Sequence, residues 1–306
     1  MKLPFKKRMV TSLKLPKYGV LLFLVSLFTA CTKTLDLNLP FEGPQISVVA
    51  SIDPAEGVSA FVSRTAPPTG THLVDELRLT NATVSVFDED GNEFTVPHRG
   101  VGFYELASLV VEQGKQYRLE VSSAGLETLR SDWVRIPKAV LEPNLDFTIT
   151  LDTRNTIFPS HTIEMDFSGT DPSGDTYYLI DVYPDIVNHR TLIYTFLADF
   201  DARFCEVAFF QSPFFPDNCI QESTFSFQYI PQITVFDDAG ERVSLERLVF
   251  ALRSIDETYY NFLRDKLALD GQTGVILEPR PSTTNVSGGV GVFLASNSFV
   301  KVVAVP

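Results

Sequence analysis

The chain has 306 residues, with 25 lysines and arginines against 38 aspartates and glutamates, for a net charge of −13. Residues 1–30 hold six of the basic residues and no acid, so the remainder carries −19. Such a body repels phosphate backbones and gains nothing from an anionic lipid leaflet, which excludes nucleic-acid binding and electrostatic membrane binding as expectations. A hydrophobic content of 44% suits a folded globular protein and not a disordered one.

The chain opens on a basic flank, Lys2, Lys6, Lys7, Arg8, Lys14 and Lys17, followed by the apolar run Gly19–Cys31. This is the order of a secretory signal. The run is shorter than the roughly 18–20 residues a membrane-spanning helix needs. Its ending, Leu27-Phe28-Thr29-Ala30-Cys31, resembles the lipobox of bacterial lipoproteins, in which the cysteine is acylated and becomes the first mature residue. Phe28 departs from the leucine usual there. An ordinary signal peptide with an incidental cysteine, or an uncleaved anchor, are the other readings. With residues 1–30 as signal, Cys31 carries the acyl chains and residues 31–43 form a tether with Pro40 and Gly43. Attachment then rests on those chains, each buried methylene contributing about 0.8 kcal/mol.

Residues 44–137 have β grammar throughout. Gln45–Ile52 and Val58–Arg64 are β-rich runs broken by Asp53-Pro54 and Glu56-Gly57. Asn81–Phe87 alternates, passes through Asp88-Glu89-Asp90-Gly91-Asn92 and resumes at Glu93–Val96, which predicts a hairpin with Gly91 at positive φ. Phe103–Leu106, Gln116–Val121 and Asp132–Ile136 complete a predicted sandwich. The order of these words around residues 80–125 resembles immunoglobulin- or transthyretin-like modules of exported proteins.

Pro137 and Pro143 bracket a predicted seam, and residues 138–306 form a second β-rich domain. Strands are expected at 147–151, 162–167, 177–183, 192–196, 225–229, 232–236, 248–252, 275–277 and 291–295. One helix stands out near residues 255–268. Ser254-Ile-Asp-Glu257 has the form of a capping box, apolar residues follow near helical spacing, and Asp270-Gly271 supplies a stop. The fold class is therefore mostly β, two sandwich domains with one notable helix.

Cys205 and Cys219 remain as an even pair in an exported chain, and a disulfide between them is expected. It would close a loop of about 15 residues, worth roughly 3 kcal/mol in the chain-entropy picture. The span 196–229 holds 10 aromatic residues in 34. Phe209, Phe210, Phe214 and Phe215 lie inside the stapled loop, where Pro213 and Pro216 argue against regular structure. Two readings are open: an exposed partner-binding patch, or a plug folded back on the second domain.

Other motifs yield turns more readily than chemistry. Gly288-Gly289-Val-Gly291 lacks the G-x-G-x-x-G spacing and opens no helix, so a turn or bulge is expected. Asp88, Asp90 and Asn92 begin like a calcium loop, but the glycine comes too early and Arg99 stands at position twelve. Asp171 with Asp175, and Asp199 with Asp201, could hold a hard cation but suit solvated turns better. His72, His98, His161 and His189 form no H-E-x-x-H, and no G-x-S-x-G elbow occurs. No catalytic residue, metal site or cofactor is expected.

The lipobox, the "ATVSVFDEDGN…FYEL…GKQYRLEV" module, the later "LRSIDETYYNFL" and the closing "NVSGGVGVFLAS" at Asn285–Ser296 together resemble a family of Bacteroidota-type lipoproteins, domain of unknown function 4249. The resemblance covers nearly the whole mature chain. It implies an outer-membrane lipoprotein, facing either the periplasm or the cell exterior, that acts as a non-catalytic binding or accessory subunit beside a TonB-dependent transporter. A surface adhesin or envelope scaffold is the alternative, and a glycan- or peptide-processing enzyme a third class.

Overall fold

The computed structural model describes residues 41–67, 72–152, 160–170, 176–184, 190–195, 208–210, 212–217, 224–229, 231–236, 246–270 and 283–305. The signal, Cys31, Cys205 and Cys219 lie outside these, as do Asp171, Asp175, Asp199, Asp201 and the strand expected at 275–277.

The first elements are β1 (Ile46–Asp53), β2 (Gly57–Arg64), a one-turn helix α1 (Val74–Leu77), β3 (Thr83–Asp88), β4 (Glu93–Val96), β5 (His98–Gly100), β6 (Phe103–Leu106), β7 (Gln116–Ser122), β8 (Leu129–Ser131) and β9 (Val134–Arg135). Next come β10 (Leu141–Asp152), β11 (Ser160–Thr170), β12 (Tyr177–Pro184), β13 (Arg190–Thr195), β14 (Ala208–Phe210) and β15 (Ser212–Pro216). The chain closes with β16 (Thr224–Tyr229), β17 (Pro231–Phe236), β18 (Arg247–Ile255), the helix α2 (Glu257–Asp270), β19 (Val286–Ser287) and β20 (Gly289–Ala304).

These strands form three sheets. A nine-stranded sheet runs β14-β15-β12-β18-β20-β1-β2-β6-β5. A second runs β10-β11-β17-β13, with β16 also on β11; the third runs β19-β8-β7-β3-β4, with β9 on β7. Among the described residues the protein is thus mostly β and sandwich-like, with two helices and no closed barrel. The nine-stranded sheet draws strands from both sides of the seam expected at 138–144. Its join is the parallel pairing of β1 with the first half of β20, Ile46–Ile52 against Gly289–Ala295. Residues Glu42–Pro306 form one unit.

Alternation places the main core between two of these sheets. Ile46, Val48, Ala50 and Ile52 of β1, Val58, Ala60 and Val62 of β2, Tyr104 of β6 and Phe293 and Ala295 of β20 point inward. They meet Val84 and Val86 of β3, Tyr117, Leu119 and Val121 of β7 and Leu129 of β8. Each such valine, leucine or isoleucine side chain contributes about 1.5–3 kcal/mol by leaving water. The two core tyrosines also tie loops down. The Tyr104 hydroxyl donates to the Leu79 carbonyl and accepts from the Ala82 amide, both at 2.9 Å. The Tyr117 hydroxyl accepts from the Glu112 amide at 2.9 Å.

The hairpin expected at 81–96 is present, with Gly91 at φ 86°. Asp88 organises its turn. One carboxylate oxygen accepts from the amides of Asp90 (3.0 Å) and Asn92 (2.8 Å), the other from the Asn92 side chain (2.8 Å). The Asn92 side chain is the main cause of a lowered Asp88 pKa. Both oxygens serve the turn, as the non-EF-hand spacing implied.

The closing glycine motif is a packing device. Asn285 mimics a strand partner: its Oδ1 accepts from the Phe293 amide at 2.8 Å and its Nδ2 donates to the Phe293 carbonyl at 2.7 Å. Gly291 sits opposite Val48 at φ 134°, and the Val48 carbonyl oxygen occupies the place a Cβ would need.

The helix starts later than the capping box suggested. Ser254 and Ile255 remain in β18, paired with Asn297 and Ser296 of β20. Asp256 is the cap, its Oδ1 accepting from the Tyr259 amide at 2.8 Å. Burial pushes the Asp256 carboxyl up to about 7, the Glu257 charge adding to the rise and the Tyr259 and Ala295 backbone bonds opposing it. Between the ordinary value of 3.8 and about 7, the folded state holds a proton the unfolded state has lost. Stability therefore falls as pH rises through that window, by up to about 1.4 kcal/mol per pH unit. Asp256→Asn keeps a capping oxygen and removes the charge. Thermal unfolding at pH 4 and pH 8 is expected to show the variant near wild type at pH 4 and more stable at pH 8.

Candidate functional site

Among the described residues a highly connected polar group is Arg253, a lone cation in the buried stretch Leu248–Ile255. Its Nε donates to Asp181 at 2.9 Å, and Nη1 and Nη2 grip Glu56 at 3.0 and 2.8 Å. Nη1 also donates to Ser298 at 2.7 Å and lies 3.8 Å from Asp53. Asp53, itself 2% exposed, accepts from Ser296 and Ser298 at 2.6 Å each and from the Ala55 amide at 2.8 Å. One guanidinium thus ties the β1–β2 turn to β12, β18 and β20. Burial alone would lower its pKa; the bonds to Glu56 and the charges of Asp181 and Glu56 outweigh that and raise it. Tyr259 beside it is pushed up to about 12, by burial first and by Asp181 next, so its phenol stays neutral. The carboxylates here are held as acceptors for a fixed cation, which suits a clasp better than acid–base chemistry. Among the described residues no group of three His, Cys, Asp or Glu side chains converges to hold a metal ion.

The outer face of the nine-stranded sheet is different. Odd-numbered residues of β1 point away from the core, and register lines up Val49 with Phe61 and Phe61 with Phe103. The Phe61 and Phe103 ring centres are 4.9 Å apart, yet Phe61 is 54% exposed. Val290, beside Ser47, extends the apolar surface on β20. At the end of this row lies a pocket of about 220 Å³ lined by Phe61, Val62, Ser63, Leu77, Arg78 and Val101. Arg78 closes one wall, its Nη1 donating to the Val101 carbonyl at 2.9 Å and its Nε 3.3 Å from Asp75.

Val101 is strained. The two-residue turn between β5 and β6 places Val101 at φ 50° and Gly102 at φ 75°. A turn with both central residues at positive φ favours Asn-Gly. A β-branched residue there costs on the order of 1–3 kcal/mol. The valine side chain is 57% exposed and lines the pocket, so no core packing offsets the strain.

The predicted loop residues fall elsewhere. The segment expected to be irregular forms β14 and β15; Pro213 pairs with Phe209, and Pro216 ends its strand against Tyr177. Phe209 and Phe210 lie in β14. Phe214 is 0% exposed, in a cluster with Leu179, Ile255 and Leu263. Its ring meets Tyr260 edge-on at 5.6 Å, and Phe215 packs against Tyr178 at 5.4 Å. Burial of these two rings, on opposite faces of the sheet, outweighs the ladder bonds that prolines cannot make. Both rings are buried within the chain, where an exposed patch is one of the two expectations. The exposed row and the Arg253 clasp were missed in the sequence. Their signals were a single arginine inside an apolar strand and a valine between two glycines, Gly100-Val101-Gly102.

Fold and site together define a mostly β sandwich protein with an interior ionic clasp and an exposed apolar row beside a small pocket. Residues 32–301 match the family model described as Domain of unknown function (DUF4249), and the chain belongs to that family. No curated protein matches the chain.

Proposed function

We propose that the chain is a non-catalytic, lipid-anchored outer-membrane protein that binds a partner as an accessory subunit beside a TonB-dependent transporter. The observation that carries this reading is the apolar row Val49, Phe61 and Phe103 with the strained Val101 at its end. An exposed aromatic on a rigid sheet is the kind of anchor that binding surfaces use, and strain kept at an exposed residue is common where function needs it. The anchor is Cys31; a family match that starts one residue later, at residue 32, is in keeping with a mature chain that begins at Cys31. The Cys205–Cys219 disulfide belongs to the same proposal, since an exported protein meets oxidising conditions.

The test is purification of the full chain from membranes in mild detergent. A large β-barrel is expected to co-elute with wild type and to be lost from Phe61→Asp, whose unfolding midpoint moves by no more than a few degrees because the site is exposed. A wild-type preparation without a barrel, or one that Phe61→Asp leaves intact, contradicts the reading.

A further inference from the structure

The outer face of the six-stranded sheet carries a row that the core does not require. Phe87 of β3 and Arg118 of β7 are register partners, and Trp133 immediately precedes Val134, which pairs with Tyr117. The Arg118 guanidinium carbon lies 5.5 Å from the Phe87 ring centre and 5.0 Å from that of Trp133. The cation is thus flanked by two aromatic rings. Among the described residues its guanidinium makes no hydrogen bond or ion pair, and its Nε is buried without a partner. Neighbouring acids are engaged elsewhere. Glu120 takes Arg130 at 2.8 Å, and Glu93, opposite Phe87, accepts from Ser85 at 2.8 Å. Arg135, opposite Gln116, bonds among the described residues only the Gly114 carbonyl, at 2.6 Å. A body with twice as many acids as bases therefore holds, on one sheet face, two arginines that have no acid partner among the described residues, next to a tryptophan that is 42% exposed.

We propose that this face binds an acidic sugar, a hexuronate unit of a glycan, with its ring stacked on Trp133 and its carboxylate taking the free donors of Arg118. An indole face suits the flat C–H face of a six-membered sugar, and a guanidinium fork matches two carboxylate oxygens. Arg118 stands on β7 and Trp133 directly precedes β9, and the guanidinium lies against both the Phe87 and Trp133 rings, so little ordering is left to binding. An acidic peptide side chain offers a carboxylate but no flat apolar face joined to it. Arg135 is diagonal to Arg118 across β7 and β9, roughly 7–8 Å away, and would meet a second acidic group. The face is distinct from the Phe61 row and does not depend on it.

Trp133 is the only tryptophan in the chain, so its fluorescence reports on this site alone. The full chain in detergent is titrated with oligogalacturonate, with a neutral oligosaccharide of equal length and with polyglutamate. A saturable fluorescence change is expected for oligogalacturonate alone. Arg118→Met keeps a stem between the rings but no donors, and is expected to weaken binding at least tenfold with its unfolding midpoint retained. Should that variant not fold, Arg118→Lys carries the test, because it keeps the charge and loses the fork; binding at least threefold weaker supports the proposal. Absence of a saturable change, unchanged affinity in the variant read, or polyglutamate binding as tightly as oligogalacturonate overturns it.

Discussion

Arg253→Met is expected to cost about 3–5 kcal/mol of folding stability, the range for leaving buried charges without their partner. Methionine replaces most of the aliphatic stem, so little of the loss is packing. What remains is Asp53 at 2% exposure, with Glu56 and Asp181 facing it and no cation between them. Arg253→Lys restores a charge but cannot grip both Glu56 oxygens while donating to Asp181, so an intermediate loss of about 1–2 kcal/mol is expected. Urea unfolding at pH 7 reads both values. Because the guanidinium is buried, the wild-type value should change little between low and moderate salt, unlike a surface pair. A loss below about 1 kcal/mol for Arg253→Met would mean that the three carboxylates are solvated or protonated in the fold and that the clasp is incidental.

Gly291→Ala is expected to be at least as damaging, more than about 3 kcal/mol, for two separate reasons. The backbone at φ 134° is one that side chains rarely adopt. The new Cβ would also meet the Val48 carbonyl oxygen and carbon, backbone atoms that cannot swing away. Relief requires β20 to draw back from β1, and that parallel contact holds Phe293 and Ala295 in the main core. Gly91→Ala is the control. Its φ of 86° is also positive, but nothing lies within 4 Å of the added atom. Its loss should be about 1 kcal/mol, the conformational term alone. Equal losses at the two positions, measured by thermal unfolding, would remove the close approach of β1 and β20 as the reason for the motif.

Local chemistry was legible where local rules govern. Alternation in Asn81–Phe87, the Asp88 turn with Gly91 and the Phe103–Leu106 strand all follow from side-chain period and turn residues. The capping box at Ser254 satisfied the same kind of rule and still yielded a late start. There β20 competes for Ser254 and Ile255 as strand partners, and Asp256 offers an equally good cap two residues on. Prolines at 213 and 216 argued against a strand, but burial of Phe214 and Phe215 prevailed. Long-range register was not legible at all. Asp53, Glu56, Asp181, Arg253 and Ser298 meet only through the order β12-β18-β20-β1. Phe87, Arg118 and Trp133 meet only through the order β3-β7-β9, which no periodicity encodes.

The central claim is that an acyl-bearing Cys31 holds an acidic β-sandwich binder at the outer membrane. Mass spectrometry of the mature amino-terminal peptide, from cells fed a labelled fatty acid, tests it most directly. The account predicts a peptide that begins at Cys31, carries the label and leaves the outer-membrane fraction when Cys31 is changed to serine. An unlabelled peptide, or a Cys31→Ser protein with unaltered size and membrane fractionation, would contradict it.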